Sequence, residues 1–518
     1  MRIILSGILG SIFLVGLSAF ALGQNTQYPK REFRGVWIAT LKNIDWPPHK
    51  DMHSEEQMAE IVSMLDMHQA NGINAVIFQV RPAADAFYDS PFEPWSEWLT
   101  GKQGKAPDPY YDPLAFFIDE CHKRGMAFHA WFNPYRAVVD ANEFKQLDPN
   151  HISLRKPDWF VKYGPNLYFD PGIPEGRDYV IQIIKDVATR YDIDAVHFDD
   201  YFYPYPINGQ DFPDSLSYSY FGRDFPDKAE WRRNNVNTFI HRMRDTLLAS
   251  RPDLIFGISP FGVWRNQDRD PEGSATRAGA PSYDVLYADI RSWLKKGWID
   301  YVAPQIYWSI GYPPASYDVL VKWWNNNAYG KHVYIGHALY KVANNQDLNW
   351  DKPSEIPDQI RMTRKYPNIQ GSIFFSSKWF ADNTFGVTDS INRNLYPHPA
   401  LLPSMNWVDN SSPPFPALMQ VNSTKEGIQL TWDPPGDDSE AWYYGVYRLK
   451  GSKIPEPNPE SLVKVVQARS GTFTDPDTRF LRKYTYMLTA MDRMQNESSP
   501  GVYRSQRRWS FRRKTVGF

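Results

Sequence analysis

The chain has 518 residues, more than one hydrophobic core usually serves, so we expect two domains. Its net charge of −2 at pH 7 provides no overall basic field, which argues against a nucleic-acid-binding protein. Aromatic residues make up 15% of the chain, including 19 Trp and 31 Tyr. Some of these rings fill cores, and the excess is typical of proteins whose flat rings stack on sugars.

The first 23 residues have the pattern of an export signal. Arg2 supplies a short positive region, residues 3–20 are apolar, and residues 21–23 (ALG) form a small-x-small cleavage site. We expect cleavage after Gly23; the alternative is an uncleaved anchor, since the apolar run is nearly long enough to span a bilayer. Cys121 is the single cysteine, so no disulfide framework is expected. The expected location is the bacterial periplasm or the medium, with no stable membrane insertion after cleavage.

Short apolar strands alternate with helical stretches between residues 33 and 395, which is typical of a parallel sheet covered by helices. The predicted strands are 33–40, 74–82, 126–136, 194–204, 254–262, 301–308, 332–341 and 371–380. The predicted helices include 54–71, 112–125, 176–191, 228–250, 283–297 and 353–366. The count of eight strands favours an α/β fold, a (β/α)₈ TIM barrel, over a doubly wound open sheet.

The barrel is predicted over residues 28–400, and the pattern changes after it. Residues 401–413, rich in Pro, Ser and Asn, predict a linker. Residues 414–500 contain short alternating strands with turn signals, which predict a small all-β immunoglobulin-like sandwich. Residues 501–518 are basic and predict a solvated tail.

The most informative stretch is residues 194–204, where an apolar strand leads directly into Asp199 and Asp200. Burying unpaired carboxylates is costly, so two of them at a strand end indicate a functional site. The ends of barrel strands and the loops after them build the active sites of this fold. Alternation along strand four directs Asp199 into the barrel together with His197, whereas Asp200 lies at the rim.

Glycoside hydrolysis usually needs a proton donor and either a nucleophile or a base, and these are commonly two carboxylates. We assign catalysis to Asp199, which a cation such as Arg81 would keep ionised, and to Asp200. Asp200 would donate a proton or orient a substrate amide, unless it only caps the following loop. The predicted substrate-binding residues are Asp45, Gln79, Arg81, Asp85, Trp131, Asn133, Arg136, His197, Tyr201, Gln305, Tyr307 and Trp308.

The partner of Asp199 and Asp200 is left open, because no Glu ends strand five or seven, where many barrel glycosidases carry their acid. The candidates from the loops are Asp45, Asp85, Glu93, Glu97 and Asp170. In a substrate-assisted route, the carbonyl of an N-acetyl group on the sugar would instead be the nucleophile. No metal-binding spacing is present, so neither a metal nor another cofactor is expected.

Seven motifs lie at or near the strand ends: 33–37 (FRGVW), 43–47 (NIDWP), 79–82 (QVRP), 129–136 (HAWFNPYR), 197–204 (HFDDYFYP), 257–262 (GISPFG) and 303–308 (APQIYW). Together they resemble the glycosyl hydrolase-like 10 family over about residues 30–400. The resemblance implies an exported (β/α)₈ glycoside hydrolase, and some similar members cut peptidoglycan glycan strands stripped of their stem peptides. Residues 428–432 (IQLTW) and 484–486 (YTY) resemble a fibronectin type III domain.

The expected function is therefore hydrolysis of glycosidic bonds in a bacterial N-acetylated glycan, with peptidoglycan strands as the polysaccharide partner. One alternative is a non-catalytic barrel that only binds glycan, and another is a hydrolase of a different polysaccharide. Stereochemistry, endo or exo action and oligomeric state are left open.

Overall fold

The computed structural model describes residues 28–140, 147–415, 419–436, 439–501 and 503–509. Eight parallel strands form a closed barrel, which confirms the predicted (β/α)₈ fold. They are β1 (Phe33–Ile38), β2 (Ala75–Arg81), β3 (Ala127–Phe132), β4 (Ala195–Phe198), β5 (Ile255–Ile258), β6 (Tyr301–Val302), β7 (His332–Ala338) and β8 (Gly371–Phe375). The barrel closes because β8 pairs with β1. The predicted export signal lies outside the described residues.

Helices cover the outside of the barrel and alternate with its strands. The α-helices in the described part of the chain are Ser54–Ala70, Glu97–Thr100, Pro113–Lys123, Ile152–Arg155, Pro174–Arg190, Ser215–Phe221, Lys228–Ser250, Ser282–Val285, Ile290–Lys296, Tyr317–Asn326, Glu355–Thr363, Ser377–Asp382 and Val387–Asn394. Among them, none combines the length and the apolar content that a bilayer span requires.

Several predicted elements differ from the structure. The predicted strands extend past the observed ones, and the last of them, expected over 371–380, ends at Phe375 and is followed by the helix Ser377–Asp382. The helix expected over 283–297 is two short helices, separated where Tyr287 adopts a positive φ of 56°. The strand expected over 301–308 is only the two-residue β6, because Pro304 has no N–H with which to continue the ladder. The residues after β6 are therefore loop, and they contribute to the mouth of the barrel.

Because successive side chains of a strand point to opposite sides, the barrel has one core between its strands and the helices and another in its interior. Outward side chains such as Val36, Phe128 and Val196 pack under the helices, whereas inward side chains such as Trp37 and Tyr301 fill the barrel. Gly257 makes room for the Tyr301 ring, because a Cβ on this glycine would lie 2.0 Å from it. The interior is thus packed, and a ligand can be held only at its ends.

The loop after β3 contains a small antiparallel sheet of three strands, Arg136–Val138, Phe160–Tyr163 and Asn166–Phe169. Its first strand begins only four residues after the end of β3. The sheet therefore holds Arg136 beside the carboxyl end of the barrel.

A β-sandwich follows the barrel, as predicted. Its strands are β9 (Met419–Ser423), β10 (Ile428–Trp432), β11 (Tyr443–Lys450), β12 (Leu462–Gln467), β13 (Thr472–Asp475), β14 (Lys483–Met491) and β15 (Tyr503–Arg507). One sheet has the order β9-β10-β13 and the other β12-β11-β14-β15, and residues of both share one core. β15 lies in the segment predicted as a basic tail, so the second sheet extends past residue 500. The fibronectin type III assignment stays a prediction.

The sandwich packs on the N-terminal face of the barrel. Arg493 forms an ion pair with Asp192, and its guanidinium lies 3.7 Å from the centroid of the Trp442 ring. Met405, from the segment predicted as a linker, and Met494 pack against inward residues at the bottom of the barrel. This end of the barrel is therefore covered, and the opposite end is left for a site.

Candidate active site

A cavity of about 360 Å³ opens at the C-terminal end of the barrel, a size typical of ligand sites. It is lined by Trp37, Ala39, Leu41, Ile44, Gln79, Trp131, Arg136, Asp199, Asp200, Tyr201, Tyr205, Ser259, Gln305, Tyr307, Tyr340 and Phe375. Seven of these side chains are aromatic, which suits a ligand with flat apolar faces. Within this lining of described residues, Asp199 and Asp200 are the acidic side chains.

Asp199 is held by N–H donors from the end of β3. Trp131 Nε1 donates to its Oδ2 at 3.1 Å, and Asn133 Nδ2 lies 3.1 Å from both carboxylate oxygens. Burial raises the pKa of Asp199, while the charge of Arg136 and these donors oppose that rise. The cationic neighbour is thus Arg136, not Arg81 as the sequence suggested.

Asp200 has a different environment. The hydroxyl of Tyr205 donates to its Oδ2, and Asp200 is otherwise buried beside another carboxylate. Burial, and then the charge of Asp199, raise the pKa of Asp200 to about 7. Asp199 has the cation and the N–H donors from the end of β3, and Asp200 has neither, so Asp200 is the better placed of the two to hold a proton.

Asn133 connects the small sheet to the carboxylate pair. Its Oδ1 accepts the backbone N–H of Arg136 at 2.9 Å, so its amide N–H groups are directed at Asp199. The Arg136 guanidinium in turn lies 4.7 Å from the centroid of the Tyr201 ring. This network fixes the orientation of the Asp199 carboxylate before any substrate arrives.

Two glutamines fix the loops around the mouth. Gln79 Oε1 accepts the backbone N–H groups of Thr40 and Leu41, each at 3.0 Å. Gln305 Nε2 donates to the carbonyl of Ser259 at 3.0 Å. Both glutamines and Tyr307 line the cavity, and their contact with a substrate stays a prediction.

Arg81 and Glu93 form a fully buried ion pair below the mouth. Arg81 Nη2 lies 2.6 Å from Glu93 Oε1, Nε lies 2.7 Å from Oε2, and both side chains are 0% exposed. Arg81 Nη1 also donates to the carbonyl of Asn133 at 2.6 Å. These contacts leave Arg81 no access to a ligand, so its predicted substrate contact is not supported, and Glu93 is not a free second carboxylate.

His197 lies inside the barrel, beneath the cavity. Trp37 Nε1 donates to His197 Nε2 at 3.3 Å, and an indole N–H can only donate, so the ring proton is on Nδ1. This Nδ1 donates to the Tyr301 hydroxyl at 2.7 Å, and that hydroxyl donates to His129 Nδ1 at 2.9 Å. Burial lowers the pKa of His197 well below its ordinary value. His197 is therefore a neutral support for Trp37, not a residue that the structure brings to the ligand.

The other predicted acids lie outside the cavity lining. Asp45 accepts from Ala39 N at 2.7 Å and Ser376 Oγ at 2.7 Å, tying the loop after β1 to the end of β8. Burial raises the pKa of Asp85 to about 7, and its Oδ2 lies 3.5 Å from Gln103 Nε2. Asp170 accepts from Ser217 Oγ at 2.5 Å.

Glu97 and Trp308, which the sequence also predicts as site residues, do not line the cavity that contains Asp199 and Asp200. Glu97 lines a neighbouring cavity. Trp308 packs edge-on against Phe261, with 5.3 Å between ring centroids, and is not among the lining residues.

The predicted substrate-binding set lacks several residues that line the cavity, namely Trp37, Tyr205, Ser259, Tyr340 and Phe375. Two of them had a usable signal. Trp37 has the inward alternation of β1, and Tyr205 belongs to the aromatic run directly after the Asp pair. Tyr340 follows β7 in a short 3₁₀ turn, and its direction depends on tertiary packing.

A (β/α)₈ barrel with paired carboxylates inside an aromatic mouth has the fold and the chemistry of a barrel glycoside hydrolase. Comparison with known proteins agrees with this class. The model of the family described as glycosyl hydrolase-like 10 matches residues 32–352, and the chain belongs to this family. It is a glycoside hydrolase.

Two relatives and one solved structure are similar to the chain. Glycosyl hydrolase YngK of Bacillus subtilis is 46% identical over 506 residues, which cover 96% of this chain and 97% of that protein. Glycosyl hydrolase DigH of Escherichia coli K12 is 40% identical over 372 residues, covering 68% of this chain and 84% of that protein. The glycoside hydrolase domain of PgaB (BpsB) from Bordetella bronchiseptica is 13% identical with a TM-score of 0.46, covering 70% of this chain and 98% of that one.

Proposed function

We propose that this protein cleaves glycosidic bonds in an N-acetylated bacterial glycan, the glycan strands of peptidoglycan, in the periplasm or outside the cell. The observation that carries the proposal is the composition of the cavity wall. Its acidic side chains, within the described residues, are two sequence neighbours, Asp199 and Asp200, with no carboxylate facing them from another strand. An acetamido group on the substrate supplies the nucleophile that such a wall lacks.

The proposed reaction uses the difference between the two carboxylates. Asp200 donates its proton to the leaving oxygen as the bond from that oxygen to C1 breaks, and the acetamido carbonyl oxygen bonds to C1. Ionised Asp199 accepts the amide N–H and stabilises the positive charge of the resulting ring. Asp200, now a carboxylate, takes a proton from the water that attacks C1, which opens the ring and restores both groups.

The test is to incubate the protein with N-acetylated strands stripped of stem peptides and with the same strands after chemical de-N-acetylation. We expect new reducing ends only from the N-acetylated strands, and products that retain the anomeric configuration by NMR. Equal cleavage of both strands would rule out the acetamido route. Binding of the N-acetylated strands without cleavage would favour the glycan-binding alternative.

The location of the protein is part of the proposal and has its own test. Expression in an exporting bacterial host, followed by mass spectrometry of the mature chain, is expected to find Gln24 as its first residue. A mature chain that still contains residues 1–23 would support the uncleaved anchor.

The pH dependence of the reaction follows from the roles of the pair. We expect kcat/KM to fall as the pH rises through about 7, because Asp200 then loses the proton that it must donate. At acid pH the rate falls as well, because Asp199 must be ionised.

An aryl glycoside with an acidic leaving group tests whether Asp200 is the proton donor. Such a leaving group departs with little protonation, so its release does not depend on the acid. Asp200→Asn should keep much more of its kcat/KM on this substrate than on glycan strands, with a flattened alkaline limb, whereas kcat falls on both because Asp200 also activates the water. An unchanged alkaline limb in Asp200→Asn would show that another group is the acid.

A further inference from the structure

A second and larger cavity, of about 680 Å³, adjoins the catalytic cavity on the same face of the barrel. The two are connected through shared segments. Lys42 lines the second cavity, while Leu41 and Ile44 on either side of it line the catalytic one. Val138 lies two residues after Arg136 on the same short strand, which corresponds to about 7 Å along the chain.

We propose that this second cavity is a glycan-binding subsite that takes a sugar unit carrying a carboxylate, through Lys42, Lys50 and Lys102. In a peptidoglycan strand such a unit is a muramic acid whose lactyl carboxylate no longer carries a stem peptide. The inference rests on the proposed function, since it assumes that one strand occupies both cavities.

The charges of the lining support an acidic ligand. Lys42, Lys50 and Lys102 come from two different loops, are exposed, and form no ion pair with a described acidic side chain. The acidic members of the lining are Glu97 and Asp140, and both already have partners. Three unpaired ammonium groups around one cavity attract a carboxylate, at a strength that salt reduces.

The loop that carries Lys42 has a strained backbone conformation. Lys42 and Asn43 are consecutive non-glycine residues with φ of 53° and 55°, a region that side chains rarely adopt. The Asn43 amide donates to the carbonyls of Pro47 and Trp98, each at 2.8 Å. The loop after β1 is thereby tied to the loop after β2, and Lys42 is presented where the two cavities meet.

The remaining wall is suited to a sugar ring. Trp98 and Leu147 supply apolar surface, and Gln103, whose Oε1 accepts the backbone N–H of Asp148 at 2.9 Å, lines the cavity with them. A lining that combines a Trp side chain with three lysines suits a sugar that has an apolar face and a charged substituent.

The test compares an N-acetylated strand with free carboxylates and the same strand after its carboxylates are converted to methylamides. KM for cleavage and Kd by calorimetry are measured for both. The variant is Lys42→Asn/Lys50→Gln/Lys102→Gln; Asn is chosen at position 42 because it tolerates a positive φ. Lys105→Gln is the matched control, an exposed lysine of the same loop as Lys102 that does not line the cavity.

We expect the unaltered protein to have a KM and a Kd about tenfold lower for the carboxylate strand than for the methylamide strand. The triple variant should lose this preference, and Lys105→Gln should keep it. Equal values for the two strands in the unaltered protein, or a triple variant that keeps the preference, would overturn the subsite. If neither strand is cleaved, the proposed function is wrong, and the two Kd values still decide whether the cavity selects a carboxylate.

Discussion

Asp199→Asn is expected to lower kcat on N-acetylated strands by about 10³-fold or more. The substitution keeps the shape of the side chain but removes the negative charge that stabilises the ring formed by the acetamido group. It also places an NH₂ group opposite the donors of Trp131 and Asn133, which costs about 1–3 kcal/mol of folding free energy. The measurements are initial rates of reducing-end formation, Kd for the strands by calorimetry, and the thermal midpoint.

Asp158→Asn is the matched control, since Asp158 is an exposed residue in the loop after β3. It should keep the rate and the midpoint of the unaltered protein. If Asp199→Asn retained most of its activity, the reacting carboxylate would lie elsewhere on the chain. If Kd weakened as much as kcat, Asp199 would serve mainly to bind the ground state.

Arg81→Met is expected to lower the free energy of unfolding by about 3–5 kcal/mol, because Glu93 is then left without its cation in a fully buried position. Glu93→Leu should lower the free energy of unfolding by a similar amount, because Arg81 is then left without its anion in the same buried position. The double variant Arg81→Met/Glu93→Leu should lose only about half of the summed free energies that the two single variants lose. Part of the loss remains because the Asn133 carbonyl still lacks its donor. Denaturant unfolding of the four proteins gives the coupling energy directly. Costs that simply add in the double variant would show that the pair contributes no coupling.

The placement of Asp199 could be predicted because it depends on local features. Residues 195–198 are apolar except for His197, and the change to two carboxylates directly after them marks the end of a buried strand. The number of strands is equally local, because each strand and helix carries its own pattern. These features are enough to derive the barrel and the face on which the pair lies.

The role of Arg81 could not be predicted in this way. Alternation on β2 correctly gives it the same side as Gln79, but its partner Glu93 comes from an inserted loop twelve residues later. The path of that loop is determined by tertiary packing, which no local pattern encodes. A buried Arg is expected to have a partner, yet the sequence offers several acids and does not select one.

The depth of a side chain along the barrel axis could not be predicted from the sequence either. His197 and Asp199 face the same interior, but two residues of strand separate them by about 7 Å. That distance puts the carboxylate in the cavity and the imidazole among Trp37 and Tyr301 beneath it. Alternation reports which side of a strand a residue faces, whereas depth depends on where neighbouring strands end.

The coverage of the N-terminal face by the sandwich determines how the molecule can be presented to a large polymer. Lys30 and Arg31, at the start of the described chain, pair with Glu497 of the sandwich on the side where β1 begins. The beginning of the barrel and the whole of the second domain thus lie on the side away from the substrate. A support coupled through exposed side chains of the sandwich would leave the cavity at the opposite end of the barrel open to a long polymer.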